Sequence, residues 1–260
     1  MAAAFRAFGR SIVLIVWSAT CWLAFEVRQG LGSHPPAPRN PWFQRWARGA
    51  LRILGVRRIA AEKPPSGVFM LVSNHLSYLD IVVYAAETGA TFVSKAEVGR
   101  WPIVGFLTKR IGTLLVDRGS PRDTARVVDS IRDRLEAGSR VVVFPEATSS
   151  DGRAVLPFRA PLFAAAIRSG SPVVCGALRY EVPERAPPVS ESVCWWGEMT
   201  FPGHVLRLLG ISSIRAKLSY ATLVHSHDER RTLAEQAHRR VVELHDELVG
   251  NAPSASRGTV

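Results

Sequence analysis

Val68-Phe69-Met70-Leu71-Val72, followed by Asn74-His75-Leu76-Ser77-Tyr78-Leu79-Asp80, is the stretch that decides the fold. An apolar run too short for a helix reads as a buried strand over 68–73, and the polar break after it, with Ser77 placed to cap, opens a helix over 78–87. The strand therefore delivers a histidine to a strand-to-helix turn. An aspartate five positions on can fix the tautomer of that histidine and stabilise its imidazolium, so His75 and Asp80 have the make-up of a general base with an orienting partner. The same letters carry a plainer meaning. Ser77-x-x-Asp80 is also a capping box, in which Asp80 only satisfies backbone amides at the helix start.

Working outward, further strands are expected at 56–60, 90–94, 113–117, 140–144, 172–178 and 214–223, with a weaker one over 193–200. Helices at 122–137 and 160–169 fall between several of them, which makes crossovers and a partly parallel sheet. The helix at 122–137 is the clearest, with Ala125, Val128, Ile131 and Leu135 on one face and Gly138 as its stop. A last helix, Asp228 to Val249, buries Leu233, Ala237, Val241, Leu244 and Leu248. The expectation is a mixed, partly parallel α/β sheet with flanking helices over residues 56–250, then a polar, disordered tail at 251–260.

Residues 1–55 read as a separate unit. Residues 11–25 carry no charge and lie between Arg10 and Glu26; as a helix they span about 22 Å against a hydrocarbon core of about 30 Å. That suits a short anchor as well as a strained crossing. Arg6 and Arg10 ahead of the apolar run also suit a signal peptide, but no small-x-small cleavage site follows. After a Pro/Gly-rich link, residues 42–54 place Trp42, Phe43, Trp46, Ala50, Ile53 and Leu54 on one helical face, with Arg45, Arg48 and Arg52 elsewhere. Basic residues beside tryptophans suit a helix lying among lipid headgroups, and an ordinary surface helix packed on the domain has the same period; two helices in tandem favour a membrane-associated hairpin.

A formal charge of +11 points to an anionic partner, and 47% hydrophobic content over 260 residues excludes a disordered chain. The arginines are scattered, only four tyrosines accompany them, and no recognition motif is present, so nucleic acid is not the expected partner. Three cysteines without C-x-x-C spacing support neither a disulfide framework nor zinc, and suit a reduced, cytosol-facing protein. His225-x-His227-Asp228 has metal-like spacing but lacks a third ligand, and Asp228 reads as a helix N-cap. No metal is expected.

Three later segments bear on His75. Gly112-Thr-Leu-Leu-Val-Asp-Arg118 puts an arginine at a strand end, where a guanidinium can grip a phosphate or pair with Asp117. Phe144-Pro145-Glu146-Ala147-Thr148-Ser149-Ser150-Asp151-Gly152 ends a strand in a small polar loop able to hydrogen-bond a polyol, or else forms a turn with an exposed glutamate. Ser171-Pro172-Val-Val-Cys-Gly176 is a proline-started apolar strand.

In this order the four segments resemble the glycerolipid acyltransferase family, of the lysophosphatidic-acid acyltransferase type. Its first block, Asn-His-x4-Asp, is matched in full at 74–80. Its second, Gly-x-x-Phe-x-x-Arg, is matched by Gly112 and Arg118 with Leu115 in place of the aromatic. Its third, Phe-Pro-Glu-Gly-Thr-Arg-Ser, corresponds to 144–150 with Ala147 for glycine and Ser149 for arginine, and Pro172 begins the fourth. Lys95-Ala96-Glu97 and Trp101-Pro102 also look familial. The resemblance implies acyl transfer from acyl-CoA or acyl carrier protein to 1-acylglycerol-3-phosphate, with His75 and Asp80 catalytic. It places Asn74, Gly112, Arg118, Pro145, Glu146 and Thr148 around the acceptor, and implies no cofactor beyond the acyl carrier. A location on the cytoplasmic face of the inner membrane follows from the lipid acceptor. Ala147 would be strained if φ there is positive. The lost arginine weakens a phosphate headgroup, and the run 144–152 with Leu156-Pro157-Phe158 is also similar to the lyso-ornithine lipid branch.

Overall fold

The central strand is buried on both faces, as a parallel strand covered by helices must be. It is β2 (Met70–Ser73), and none of its four residues reaches solvent. In this computed structural model, all residues are described except 31–39, 61, 102–104, 106–107, 109–110, 118, 224–228 and 251–260. Around β2 lie β1 (Val56–Ala60), β3 (Thr91–Lys95), β4 (Leu114–Val116), β5 (Val141–Val143), β6 (Val173–Glu181) and β7 (Ile214–Leu223). They form one sheet in the order β1-β7-β6-β2-β5-β3-β4. Neighbours run parallel except β6 and β7, which pair antiparallel from Val173↔Leu223 to Glu181↔Arg215.

Helices cover both faces. On one side pack α1 (Ala2–Gly30), α2 (Pro41–Leu54), α3 (Tyr78–Thr88) and α7 (Phe201–Gly210), through Ala7, Leu51, Leu79, Val83, Leu208 and Leu209. On the other pack α4 (Pro121–Glu136), α5 (Phe163–Ser169) and α8 (Arg230–Gly250), through Val127, Ile131, Phe163, Leu233, Ala237 and Val241. A short helix, α6 (Val189–Ser192), precedes α7. The expected mixed α/β sheet is therefore the observed one, with strand ends displaced by at most three residues.

Three expectations need correcting. Residues 193–200 form no strand: β6 already has β2 on one side and β7 on the other, so this segment crosses the sheet end as a loop. Its Trp195 amide donates to the Leu76 carbonyl at 2.8 Å, and Val193 and Cys194 are buried. His204, expected in a loop, lies buried on α7, whose Pro202 occupies the first turn, where a missing N–H costs nothing. The N-terminal helix has 29 residues rather than the 15 of its uncharged core, about 43 Å, and Ala2–Arg28 is long and apolar enough by length and composition to cross a membrane.

That extra length has a use. Arg6 and Arg10, which precede the apolar run, donate to the carbonyls of Gly210 (2.6 Å), Leu209 (3.1 Å), Ile211 and Ser212 (3.1 Å). Cations thus sit on the unsatisfied C-terminal carbonyls of α7, where the helix dipole favours them. Farther along α1, the Trp17 indole donates to the Trp46 carbonyl at 3.0 Å, and the Trp46 indole donates to Ser18 Oγ at 3.0 Å. The two front helices share a hydrophobic core with the sheet.

Candidate active site

At the end of β2 the chain leaves the sheet. Asn74 makes that departure possible, since its side chain stands in for a backbone unit: Nδ2 donates to the Leu178 carbonyl and Oδ1 accepts from the Leu178 amide, both at 2.9 Å. Buried at 1% exposure, Asn74 spends its amide on the fold and not on the cavity. His75 follows on the turn.

His75 Nδ1 lies 2.8 Å from Asp80 Oδ2. That oxygen also accepts the Leu76 amide at 2.6 Å and the Ser77 amide at 2.9 Å, while Oδ1 accepts the Tyr180 hydroxyl at 2.8 Å. Both readings of Ser77-x-x-Asp80 therefore hold at once: the capping box is present, and its carboxylate also receives the imidazole. With Nδ1–H given to Asp80, Nε2 carries the lone pair, the tautomer a general base requires. The carboxylate is fully buried, but four donors surround it, so the charge is compensated.

The third block packs against this turn. Phe144 stacks on the imidazole, and the Ser150 amide donates to the His75 carbonyl at 2.9 Å. Glu146 is not the exposed glutamate of a simple turn. It points inward, where Oε2 accepts the His75 amide at 3.2 Å and Oε1 the Leu156 amide at 3.0 Å. Burial pushes its carboxyl up to about 8, against the pull of the two amides, and the charge on Asp80 adds to the rise. Glu146 thus joins the first block to the chain leaving the third. Pro145 is buried beside it, and its carbonyl accepts the Arg159 amide.

Ala147 has φ +62°, the one positive value at a non-glycine among the described residues. The strain expected for alanine in place of glycine is present. Thr148 is exposed and lines the cavity beside His75, and Ser149 donates through Oγ to the Trp195 carbonyl. Gly112, with φ +78°, makes the turn into β4, and its neighbours Ile111 and Thr113 line the cavity. Arg118, Pro102 and the His225–Asp228 cluster lie outside the described residues, as does the tail from 251.

The cavity encloses about 680 Å³, within the range of small-molecule sites. Its walls are apolar: Trp22 and Phe25 from α1, Trp42, Phe43 and Trp46 from α2, and Val205, Leu208 and Leu209 from α7. Lys95, Glu97 and Trp101 also line it. Sequence reasoning missed α1 and α7 as its walls, and it missed Tyr180 and Phe144 as partners of the His–Asp pair. Periodicity marks these residues as core; nothing in their spacing says what they touch.

Residues 56–179 match the family model described as Acyltransferase. A lyso-ornithine lipid O-acyltransferase from Brucella abortus is 31% identical over 220 residues, which make up 78% of this chain and 82% of that protein. The chain belongs to the acyltransferase family. A second acyltransferase relative, the 1-acyl-sn-glycerol-3-phosphate acyltransferase of Neisseria gonorrhoeae, is 36% identical over 156 residues, or 58% of this chain and 60% of that protein. The chain thus spans only about three fifths of that relative. The acyltransferase fold is shared with the crystal structure of the 1-acyl-sn-glycerophosphate acyltransferase PlsC from Thermotoga maritima. That likeness has a TM-score of 0.62 and 17% identity, and covers 94% of this chain and all of that one.

Proposed function

We propose that the protein moves a fatty acyl group from an acyl-thioester, acyl-CoA or acyl carrier protein, to the free hydroxyl of a lysolipid, with His75 as general base. The observation that carries this reading is the His75–Asp80 pair set against an apolar cavity. His75 Nε2 takes the hydroxyl proton as the oxygen attacks the thioester carbonyl carbon. The tetrahedral intermediate collapses by breaking the C–S bond, and the imidazolium returns its proton to the departing thiolate. Asp80 stabilises the imidazolium between those two transfers. No acyl-enzyme forms, because the acceptor oxygen is itself the nucleophile.

Two acceptors carry over from the relatives, 1-acylglycerol-3-phosphate and lyso-ornithine lipid. A phosphate headgroup calls for guanidinium forks, yet the loop after β5 offers Thr148 and Ser149, and Ser149 is already bound to Trp195. The relative aligned over 82% of its length carries the lyso-ornithine name, whereas the Neisseria relative aligns over 60%. Loop chemistry and extent of alignment both support lyso-ornithine lipid, with 1-acylglycerol-3-phosphate as the second reading, favoured by the higher identity of 36%.

We also infer attachment to a membrane, on its cytoplasmic face. Phe5, Phe8, Ile15, Val16 and Leu23 are more than half exposed along α1, an apolar strip of the kind that lies against lipid. Thiol release by the detergent-solubilised protein, with one long-chain acyl-CoA against each lysolipid in turn, tests the assignment. Release with lyso-ornithine lipid that disappears in His75→Ala supports it. Release with lysophosphatidic acid alone keeps the chemistry and reverses the headgroup, and unchanged release in His75→Ala removes His75 from the mechanism.

A further inference from the structure

Tyr180 stands one residue beyond the segment that matches the family model, near the far end of β6, and its side chain turns back under the His–Asp pair. Its hydroxyl donates to Asp80 Oδ1 at 2.8 Å, the oxygen that the imidazole does not use. Tyr180 is 2% exposed and Asp80 fully buried, so water does not compete for this bond. We propose that Tyr180 is a positioning residue that sets how strongly Asp80 holds the imidazolium of His75. The inference rests on the reading of His75 as the base.

The two carboxylate oxygens of Asp80 share one charge. A donor on Oδ1 draws carboxylate charge away from Oδ2, so the carboxylate is a weaker acceptor toward Nδ1. Without that donor, the buried charge concentrates on the imidazole side and the imidazolium is held more tightly. The ring is then held in its protonated form, which cannot accept a proton. Burial first, and the Asp80 charge second, keep the Tyr180 phenol protonated well above its ordinary range, so it remains a donor throughout. Glu146 approaches from the loop after β5, Cys194 from the loop before α7, and Tyr84 from α3. Tyr84, one turn along α3 from Asp80, shares a hydrogen bond with Ser73 at 2.7 Å rather than with the Asp80 carboxylate.

The test is the pH profile of kcat/KM between pH 5.5 and 8.5 for the full chain in detergent, for Tyr180→Phe beside Tyr84→Phe and His75→Ala. Tyr180→Phe is expected to move the acid limb up by about one unit, which lowers the rate near pH 6 roughly tenfold while the alkaline plateau changes little. Tyr84→Phe removes a neighbouring buried hydroxyl and leaves the limb in place. Fluorotyrosine at position 180, a stronger donor of the same size, moves the limb the opposite way, and it answers the question even where phenylalanine impairs folding. A silent His75→Ala together with an unmoved limb in the Tyr180 variants overturns this inference alone. Equal shifts in Tyr180→Phe and Tyr84→Phe reduce Tyr180 to packing. An active His75→Ala overturns the base itself.

Discussion

Phe144 lies flat against His75, with ring centroids 4.2 Å apart and planes 17° from parallel. The first block of sequence thus rests its histidine on the third. Stacking of this kind is worth about 0.5–1.5 kcal/mol beyond area burial, and it restrains the imidazole against rotation. Phe144→Leu keeps most of the volume and removes the flat face. A roughly 2- to 10-fold fall in kcat, with KM little changed, is expected from steady-state thiol release.

Ala147→Gly should stabilise the protein. The left-handed backbone at φ +62° costs an L-residue about 1–2 kcal/mol, part of which returns as glycine's larger unfolded entropy. A net gain of about 1 kcal/mol raises Tm by roughly 2–4 °C in a chain of this size. Thermal unfolding followed by circular dichroism in detergent measures it, and a lower Tm would refute the strain.

Glu146 makes stability depend on pH. Its folded carboxyl titrates near 8, against an ordinary 4.5, so between those values the folded chain keeps a proton that the unfolded chain has lost. Stability therefore falls as pH rises from about 4.5 to about 8 and levels off above. Glu146→Gln should flatten that slope. It also costs about 1–3 kcal/mol at low pH, because the amide must turn an N–H toward the backbone amide of His75 or Leu156. Tm at pH 5 and pH 8 for both proteins reads the two effects separately.

Gly49→Val should unseat α1. A Cβ at position 49 falls 2.2–2.4 Å from Trp17 ring atoms, so any side chain there displaces the indole and breaks its hydrogen bond to the Trp46 carbonyl. Limited proteolysis should then cut near α1 in the variant and spare it in the parent, while a protected α1 would show that the seam tolerates the change.

Arg45 and Arg52 belong to a recess on α2 beside Trp17, and Arg45 lies 5.3 Å from the centre of the Trp42 ring. Each cation near an anionic leaflet contributes about 1 kcal/mol, so replacing both by glutamine should weaken binding to phosphatidylglycerol vesicles roughly 30-fold. Added salt should narrow the gap, and equal binding by both proteins would count against attachment through α2.

The sheet was legible because its strands are short apolar runs punctuated by glycine, proline and capping residues, and because Ser77 and Gly138 mark helix ends that the structure keeps. Val193-Cys194-Trp195-Trp196 misled for a physical reason: an apolar run signals burial, and Val193 and Cys194 are buried, but pairing depends on a free strand edge that sequence does not reveal. Likewise His75 and Asp80 were readable as a pair because five residues separate them. Tyr180 lies 100 residues from Asp80, and only the packing of β6 beside β2 brings it there. Arg6 and Arg10 read as the border of an apolar segment, whereas their partners are carbonyls about 200 residues away.

One oxygen of Asp80 serves both the start of α3 and the imidazole. The two duties cannot drift apart: a descendant that loses this carboxylate loses a helix cap and the hydrogen-bond partner of His75 in the same step, with a buried tyrosine left facing nothing. His75 carries no such double duty, and its side chain can be exchanged without disturbing the cap. On the proposed mechanism, a folded, inert copy of this protein is one substitution away at position 75, whereas a change at position 80 also disturbs the start of α3. Lineages that abandon the chemistry while keeping the shape would leave by the histidine.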